Sequence, residues 1–342
     1  MLFLQGVTSS QSPISGVPVA IVLGALLNNT IKLPPTLAPG LKVCTTTVLR
    51  AGIVCVGAKL SLTDVMDVGL SSLQVVVPCI ASGLVCTALV CRGLGLSPRL
   101  GSLIACGTSI CGVTAITALA PVIQATQREV AIAVANVVAF GLVGMLTYPY
   151  VAPYLFNTSE AIGMFLGTAI HDTSQVLGSA LTYNQLYGDE LALQVAAVTK
   201  LTRNLFLVAV IPGFAWHYAQ QSGGPTISAT GLGKFVPMFL VGFLAVTAVR
   251  SLGDYMLKTS GSAFGVFDST TWKQMTSAVG NSASQQMLGT AMAALGLTTS
   301  VKVFEGVGPR PFIAGGVASA AVGITGFAMA KMLEGPSKRV MK

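Results

Sequence analysis

Hydrophobic positions run along this chain in long uninterrupted blocks rather than in one-sided stripes. Residues 1–31, 68–91, 100–127, 130–159, 204–233, 274–301 and 311–330 contain no Asp, Glu, Lys or Arg. About 20 mostly apolar residues are enough for a helix to cross hydrocarbon. Backbone polar groups there must be satisfied inside the segment, so such blocks read as helices. They lack the in–out alternation of barrel strands. The pattern predicts ten spans, at 17–33, 43–60, 71–92, 99–125, 128–150, 159–183, 190–218, 232–252, 280–300 and 309–333. The longest connections fall at 219–231 and 253–279. The second holds Asp254, Lys258, Asp268, Trp272 and Lys273 and is expected to lie at the membrane interface.

Composition points the same way. Of 342 residues, 53% are hydrophobic and 9% charged, against about 25% charged in soluble domains. This argues against a water-soluble enzyme, a disordered chain and a nucleic-acid module. Nineteen Lys and Arg face eleven Asp and Glu, a formal charge of +8. The bases are scattered, with no basic run interleaved with aromatics, so nucleic acid is not an expected partner. Lys338, Arg339 and Lys342 form a short juxtamembrane patch. Seven cysteines without a C-x-x-C pair, and only two histidines, read as free thiols with no metal site and no cofactor. No basic n-region precedes the first apolar block, so a signal peptide is not expected. H-E-x-x-H is absent and the Ser109 context misses G-x-S-x-G by one residue, so the chain does not read as an enzyme. The expected location is a membrane crossed many times: plasma or inner membrane, or an organelle membrane in a eukaryote.

Internal similarity suggests how the spans are organised. Leu23–Thr30 in the first span resembles Leu166–Thr173 in the sixth, and Arg50 in the second matches Arg203 in the seventh. Gly107-Thr108-Ser109-Ile110 in the fourth resembles Gly289-Thr290-Ala291-Met292 in the ninth. Each pair is five spans apart, and an odd separation inverts the helix, which is the pattern of an inverted repeat. A competing register pairs Gly57–Gly69 with Gly296–Gly308. The expectation is an all-α membrane protein: an N-terminal segment 1–16, a first five-helix repeat 17–150, a second 151–333 and a basic tail 334–342.

Ionisable groups inside spans cost at least ~2.5–3.5 kcal/mol each and default to functional hypotheses. Asp172, beside His171, is the one acid well inside a span, and Arg50, Lys200 and Arg203 are the bases. Lys200 and Arg203 are three apart and share a helix face. Three cations against one carboxylate suit a small anion. His171, Asp172 and Gln175 are then candidates for proton coupling or charge balance. The alternative is a salt bridge from Asp172 to Arg203 or Lys200 that only locks helices together.

Cys106-Gly107-Thr108-Ser109-Ile110-Cys111-Gly112-Val113-Thr114 packs two glycines and three hydroxyls into one span, which weakens a helix there. A break would expose backbone N–H groups and a favourable dipole for an anion. The alternative is a small-residue helix contact. Asn281, Ser282, Gln285 and Thr290 mark the ninth span as the partner. Two broken helices crossing at the midplane would build one substrate site, lined by Thr108, Ser109, Ile110, Cys111, Gly112, Lys200, Arg203 and these four polar residues. The expected partners are that small anionic solute and the lipid bilayer, with a homodimer left open.

Several of these stretches together resemble a known family. Gly107–Gly112, Ala120-Pro121-Val122, Phe140-Gly141, Tyr148-Pro149, His171–Val176, Lys200-Leu201-Thr202-Arg203 and Ala291–Thr299 follow the order seen in the YeiH-like family of bacterial inner-membrane proteins, also described as sulfate exporters. The resemblance runs from about residue 20 to the C-terminus. It implies a multi-pass transporter similar in fold to the bile-acid symporter and cation/proton antiporter superfamily. That fold has inverted five-helix repeats and crossing discontinuous helices in the fourth and ninth spans. The implied substrate is sulfate or a related sulfur oxyanion. Family members carry a further N-terminal hydrophobic helix, and this chain differs from them in its cysteine-rich first third.

Overall fold

A computed structural model describes residues 15–31, 33–222, 237–300 and 308–334. The expected N-terminal segment before Ser15, the tail beyond Glu334 and the 219–231 connection from Gly223 onward lie outside the described residues. Those described are helical throughout, apart from short turns and one isolated bridge, Ala263 to Phe267. Six helices are long and apolar enough to cross a membrane: α2 (Pro35–Lys59), α3 (Leu62–Gly93), α6 (Gln127–Leu155), Glu190–Gln220, α11 (Met238–Ser260) and α14 (Pro309–Leu333). The fourth of these comprises α9 (Glu190–Leu205) and α10 (Leu207–Ser222). The first expected span is the shorter apolar helix α1 (Gly16–Thr30).

The remaining expected spans are built from pieces. The fourth is α4 (Pro98–Ser109) and α5 (Val113–Leu119). The sixth is α7 (Ser159–Ala169) and α8 (Thr173–Tyr187). The ninth is α12 (Ser269–Ser277) and α13 (Ser284–Thr298), joined through a π-helical turn at Ala278–Ala283.

Local chemistry sets several of these boundaries. Ser97 caps α4 by accepting from Leu100 N, with Pro98 in the first turn. Thr126 and Glu129 form a reciprocal capping box at the start of α6. Thr158 caps α7 through Ala161 N. Asp268 caps α12 through Thr270 N and Thr271 N. The segment expected as an interfacial connection is therefore mostly helical. Trp272 on α12 donates its indole N–H to Asp254 near the end of α11, at 2.8 Å.

The helices form two compact units that interleave along the chain. The first holds the described residues up to Val68, Leu181–Glu190 and Met238–Ser300. The second holds Gly69–Ala180 and the described residues of 191–237 and 301–342. In the first unit α1 lies directly on α13. A methyl on Gly24 would stand 2.7 Å from Leu297 N, and one on Gly296 would stand 2.5 Å from Ile21 O. Small residues facing each other let the two backbones approach, the packing typical of apolar helices in lipid.

The ninth span corrects an expectation. Its Gly, Ser and Asn residues do not interrupt it. The extra residue is absorbed by the π turn, and Ser284 Oγ donates back to Gly280 O, so the helix continues. The second interruption of an apolar span falls instead in the sixth.

Candidate functional site: two helix breaks in contact

The second unit brings together the interruptions in the segments expected as the fourth and sixth spans. α4 ends at Ser109, where Ile110 leaves helical geometry at φ −126°, ψ −85°, and Gly112 has φ 71°, ψ −128°. α7 ends at Ala169, and Ile170 is extended at φ −101°, ψ 139°. A methyl on Gly112 would lie 2.9 Å from Asp172 Oδ2 and 3.0 Å from its Cα, so the breaks touch there.

Each first half-helix leaves backbone carbonyls without intrahelical donors. Lys200 and Arg203 on α9, both fully buried, supply those donors. Lys200 Nζ donates to Ile110 O at 2.9 Å and Ile170 O at 3.2 Å, and also to His171 O. Arg203 donates from Nε to Ser109 O at 2.6 Å, from Nη2 to Thr108 O at 2.7 Å and from Nη1 to Thr168 O. Both cations thus bridge the C-terminal ends of α4 and α7, where the helix dipoles are negative.

The described residues show no ion pair between Asp172 and either base. The expected alternative, a locking salt bridge, is therefore not formed: carbonyls take the place of the carboxylate. Asp172 instead caps α8, with Oδ1 accepting from Ser174 N at 2.9 Å and from Ser174 Oγ. It remains partly exposed.

His171 is buried. Its Nδ1 lies 3.0 Å from Thr108 O and its Nε2 lies 2.8 Å from Ser319 Oγ on α14. A carbonyl can only accept, so Nδ1 carries a proton. The imidazole therefore ties the end of α4 to α14. Gln175 donates to Val138 O at 3.2 Å, and its Oε1 presses against Gly141, which has no side chain to obstruct it.

The other sequence-selected residues divide clearly. Thr108, Ser109, Ile110 and Cys111 are buried at the break, with Thr108 Oγ1 returned to Ile104 O. Ser109 Oγ is buried with no hydrogen-bond partner among the described residues. Asn281, Ser282, Gln285 and Thr290 belong to the first unit. Ser282 and Gln285 are exposed there, and Asn281 donates to Ser277 Oγ at 3.1 Å. Arg50 is exposed, also in the first unit, so the buried cluster holds two cations rather than three.

Two participants escaped sequence reasoning. Ser319 lies in an unremarkable Ala-Ser-Ala stretch that carries no signal. Asn204, one residue beyond Arg203, donates to Thr173 Oγ1 at 3.3 Å, and its place beside two intramembrane bases was a usable clue.

Comparison with known proteins bears on the family. A family model described as conserved hypothetical protein 698 matches residues 2–315. The chain belongs to that family, UPF0324. A UPF0324 membrane protein of Corynebacterium glutamicum is 33% identical over 302 residues, 88% of this chain and 81% of the relative. One of Streptococcus pneumoniae strain R6 is 30% identical over 323 residues, 94% and 91% of the two chains. A UPF0324 protein of Fusobacterium nucleatum is 27% identical over 322 residues, 94% and 90%. No solved structure matches. UPF0324 is the YeiH-like family to which the motifs pointed. Relatives named as membrane proteins, together with six long apolar helices, make this UPF0324 chain an integral multi-pass membrane protein.

Proposed function

We propose that the chain is a secondary active transporter of a small anion, sulfate or a related sulfur oxyanion, working by alternating access at the crossed breaks. The observation that carries this reading is the charge at the crossing: Lys200 and Arg203, both buried, against the single carboxylate of Asp172. Interrupted helices inside apolar spans are tolerated where they line a solute pathway.

Because carbonyls engage both cations, these act on a solute through their potential rather than by direct contact. Contact falls to the Ser109 hydroxyl, buried and with no partner among the described residues, and to the Thr108–Gly112 backbone. Asn281, Ser282, Gln285 and Thr290 stay in the proposal on their sequence pattern alone. Asp172, partly exposed at the crossing, carries the coupling charge, with His171 and Gln175 beside it. The five-plus-five inverted repeat, divided at 17–150 and 151–333, belongs to the same reading and rests on the residue pairs in the sequence.

The test is uptake of labelled sulfate and sulfite by proteoliposomes, with organic acids and amino-sulfonates as competitors. Saturable counterflow that is lost in Asp172→Asn supports the proposal. Uptake unchanged in a combined Lys200→Gln, Arg203→Gln and Asp172→Asn variant removes these residues from the mechanism. A second reading, a non-transporting receptor or scaffold, draws on how completely the carbonyls occupy the two cations. Anion binding without counterflow would favour it.

A further inference from the structure

The second unit also contains an apolar groove of about 310 Å³. Tyr148 and Leu155 of α6, Phe165 of α7, and Ala320, Gly323 and Phe327 of α14 line it, with no charged side chain among the lining residues. Ala320, Gly323, Phe327 and Lys331 recur at helical spacing and share one face of α14. From Ala320 to Lys331 is eleven residues, roughly 16 Å along the axis at 1.5 Å per residue. The α14 residues that line the groove cover Ala320 to Phe327, about 10 Å of that length, and a cation lies one turn beyond.

That end is where α6 and α14 both finish. Phe156, the residue after α6, places its ring 5.6 Å from Phe327 and 5.2 Å from Phe165. Lys331 Nζ lies 5.8 Å from the centre of the Phe156 ring and donates to Leu155 O at 2.9 Å and to Glu334. Glu334 is turned inward, its side chain 5% exposed, and accepts further from Asn157 N and Thr158 N. Lys331 is 42% exposed. An ammonium has three donors, and the described residues take two of them. What faces outward at the mouth is therefore the cation. The ends of spanning helices mark the headgroup level, where basic side chains meet phosphates.

We infer that this groove is a phospholipid site, in which one acyl chain lies along Ala320–Phe327 and a phosphate oxygen takes the remaining N–H of Lys331. The lining is mostly apolar and suits a hydrocarbon chain, with the Tyr148 hydroxyl its only polar side-chain group. Ile324 also lines the groove and is strongly exposed, so the groove opens on the outer surface of an apolar helix, the kind of face that lipid covers.

Native mass spectrometry of the full chain, incubated with phosphatidylglycerol or with diacylglycerol of the same acyl chains, tests this. The phospholipid should be retained about fivefold more, the effect of one basic residue at a lipid phosphate. Ala320→Leu and Gly323→Leu should each lower retention of both lipids by filling the groove. Lys331→Gln should abolish the preference for phospholipid, and Lys331→Arg should preserve it. Equal retention of the two lipids by the unaltered chain would overturn the proposal. So would phospholipid retention unaffected by both groove-filling variants.

Discussion

Gly112 and Asp172 meet where two interrupted helices touch, close enough that a methyl on the glycine would stand 2.9 Å from the carboxylate oxygen Oδ2. The same glycine has φ 71° and ψ −128°, a conformation that side-chain-bearing residues avoid. Backbone strain and crowding therefore both select glycine, and the contact fixes the spacing of the two breaks.

Gly112→Ala should accordingly lower stability by at least about 1–3 kcal/mol, the backbone cost alone, with a further loss from the displaced Asp172. Gly188→Ala is the control. Gly188 also has a positive φ, 68°, but nothing lies within 4 Å of its added methyl. Thermal unfolding of both variants in detergent should show the larger drop for Gly112→Ala. Equal drops would mean that the breaks are not in tight contact.

Lys200 and Arg203 hold three carbonyls each across the ends of α4 and α7. A buried carbonyl left without a donor costs about 1–3 kcal/mol. Lys200→Met and Arg203→Met should therefore each destabilise the protein by several times the loss in Asp172→Asn, which keeps a capping oxygen for α8. Arg203→Lys should recover only part of the loss, because one ammonium cannot reproduce the guanidinium fork that spans both helices. Melting temperatures of the purified variants decide the order. Asp172→Asn as damaging as Arg203→Met would show that the carboxylate, not the carbonyls, is the main partner of the cations.

The first break was legible because glycines and hydroxyl residues concentrate between Gly107 and Gly112. The second was not. Ile170 continues an apolar run, and the polar pair His171-Asp172 drew attention to coupling rather than to the other property of Asp172, that of a helix N-cap before Thr173 and Ser174. Read as a cap, Asp172 would have placed the break at 170–172. The ninth span misled for the opposite reason. Its Gly280-Asn281-Ser282 run has the composition of a break, yet a π turn accommodates it and packing against α1 keeps the helix whole. The apolar blocks revealed the spans because hydrocarbon imposes their length. The cation–carbonyl contacts were not legible, because any residue can contribute a backbone oxygen.

Glu334, just beyond the last spanning helix, gives a pH-dependent expectation. Burial alone would raise its carboxyl, but hydrogen bonds from Lys331, Asn157 N and Thr158 N, with the Lys331 charge, outweigh that and hold it below the usual carboxylate value. Folding therefore favours the ionised form. Its contribution is fully present above the unfolded value, about 4.3, and is lost as pH falls through the lower folded value. The gap in melting temperature between the unaltered protein and Glu334→Gln should be wide at pH 7 and should narrow as pH drops below about 4. Lys331→Gln removes a partner that keeps the carboxylate ionised, so in that background the gap should be smaller at pH 7 and the narrowing should be complete at a higher pH. A gap that stays constant from pH 7 to pH 3 would show that Glu334 acts through its shape and not through its charge.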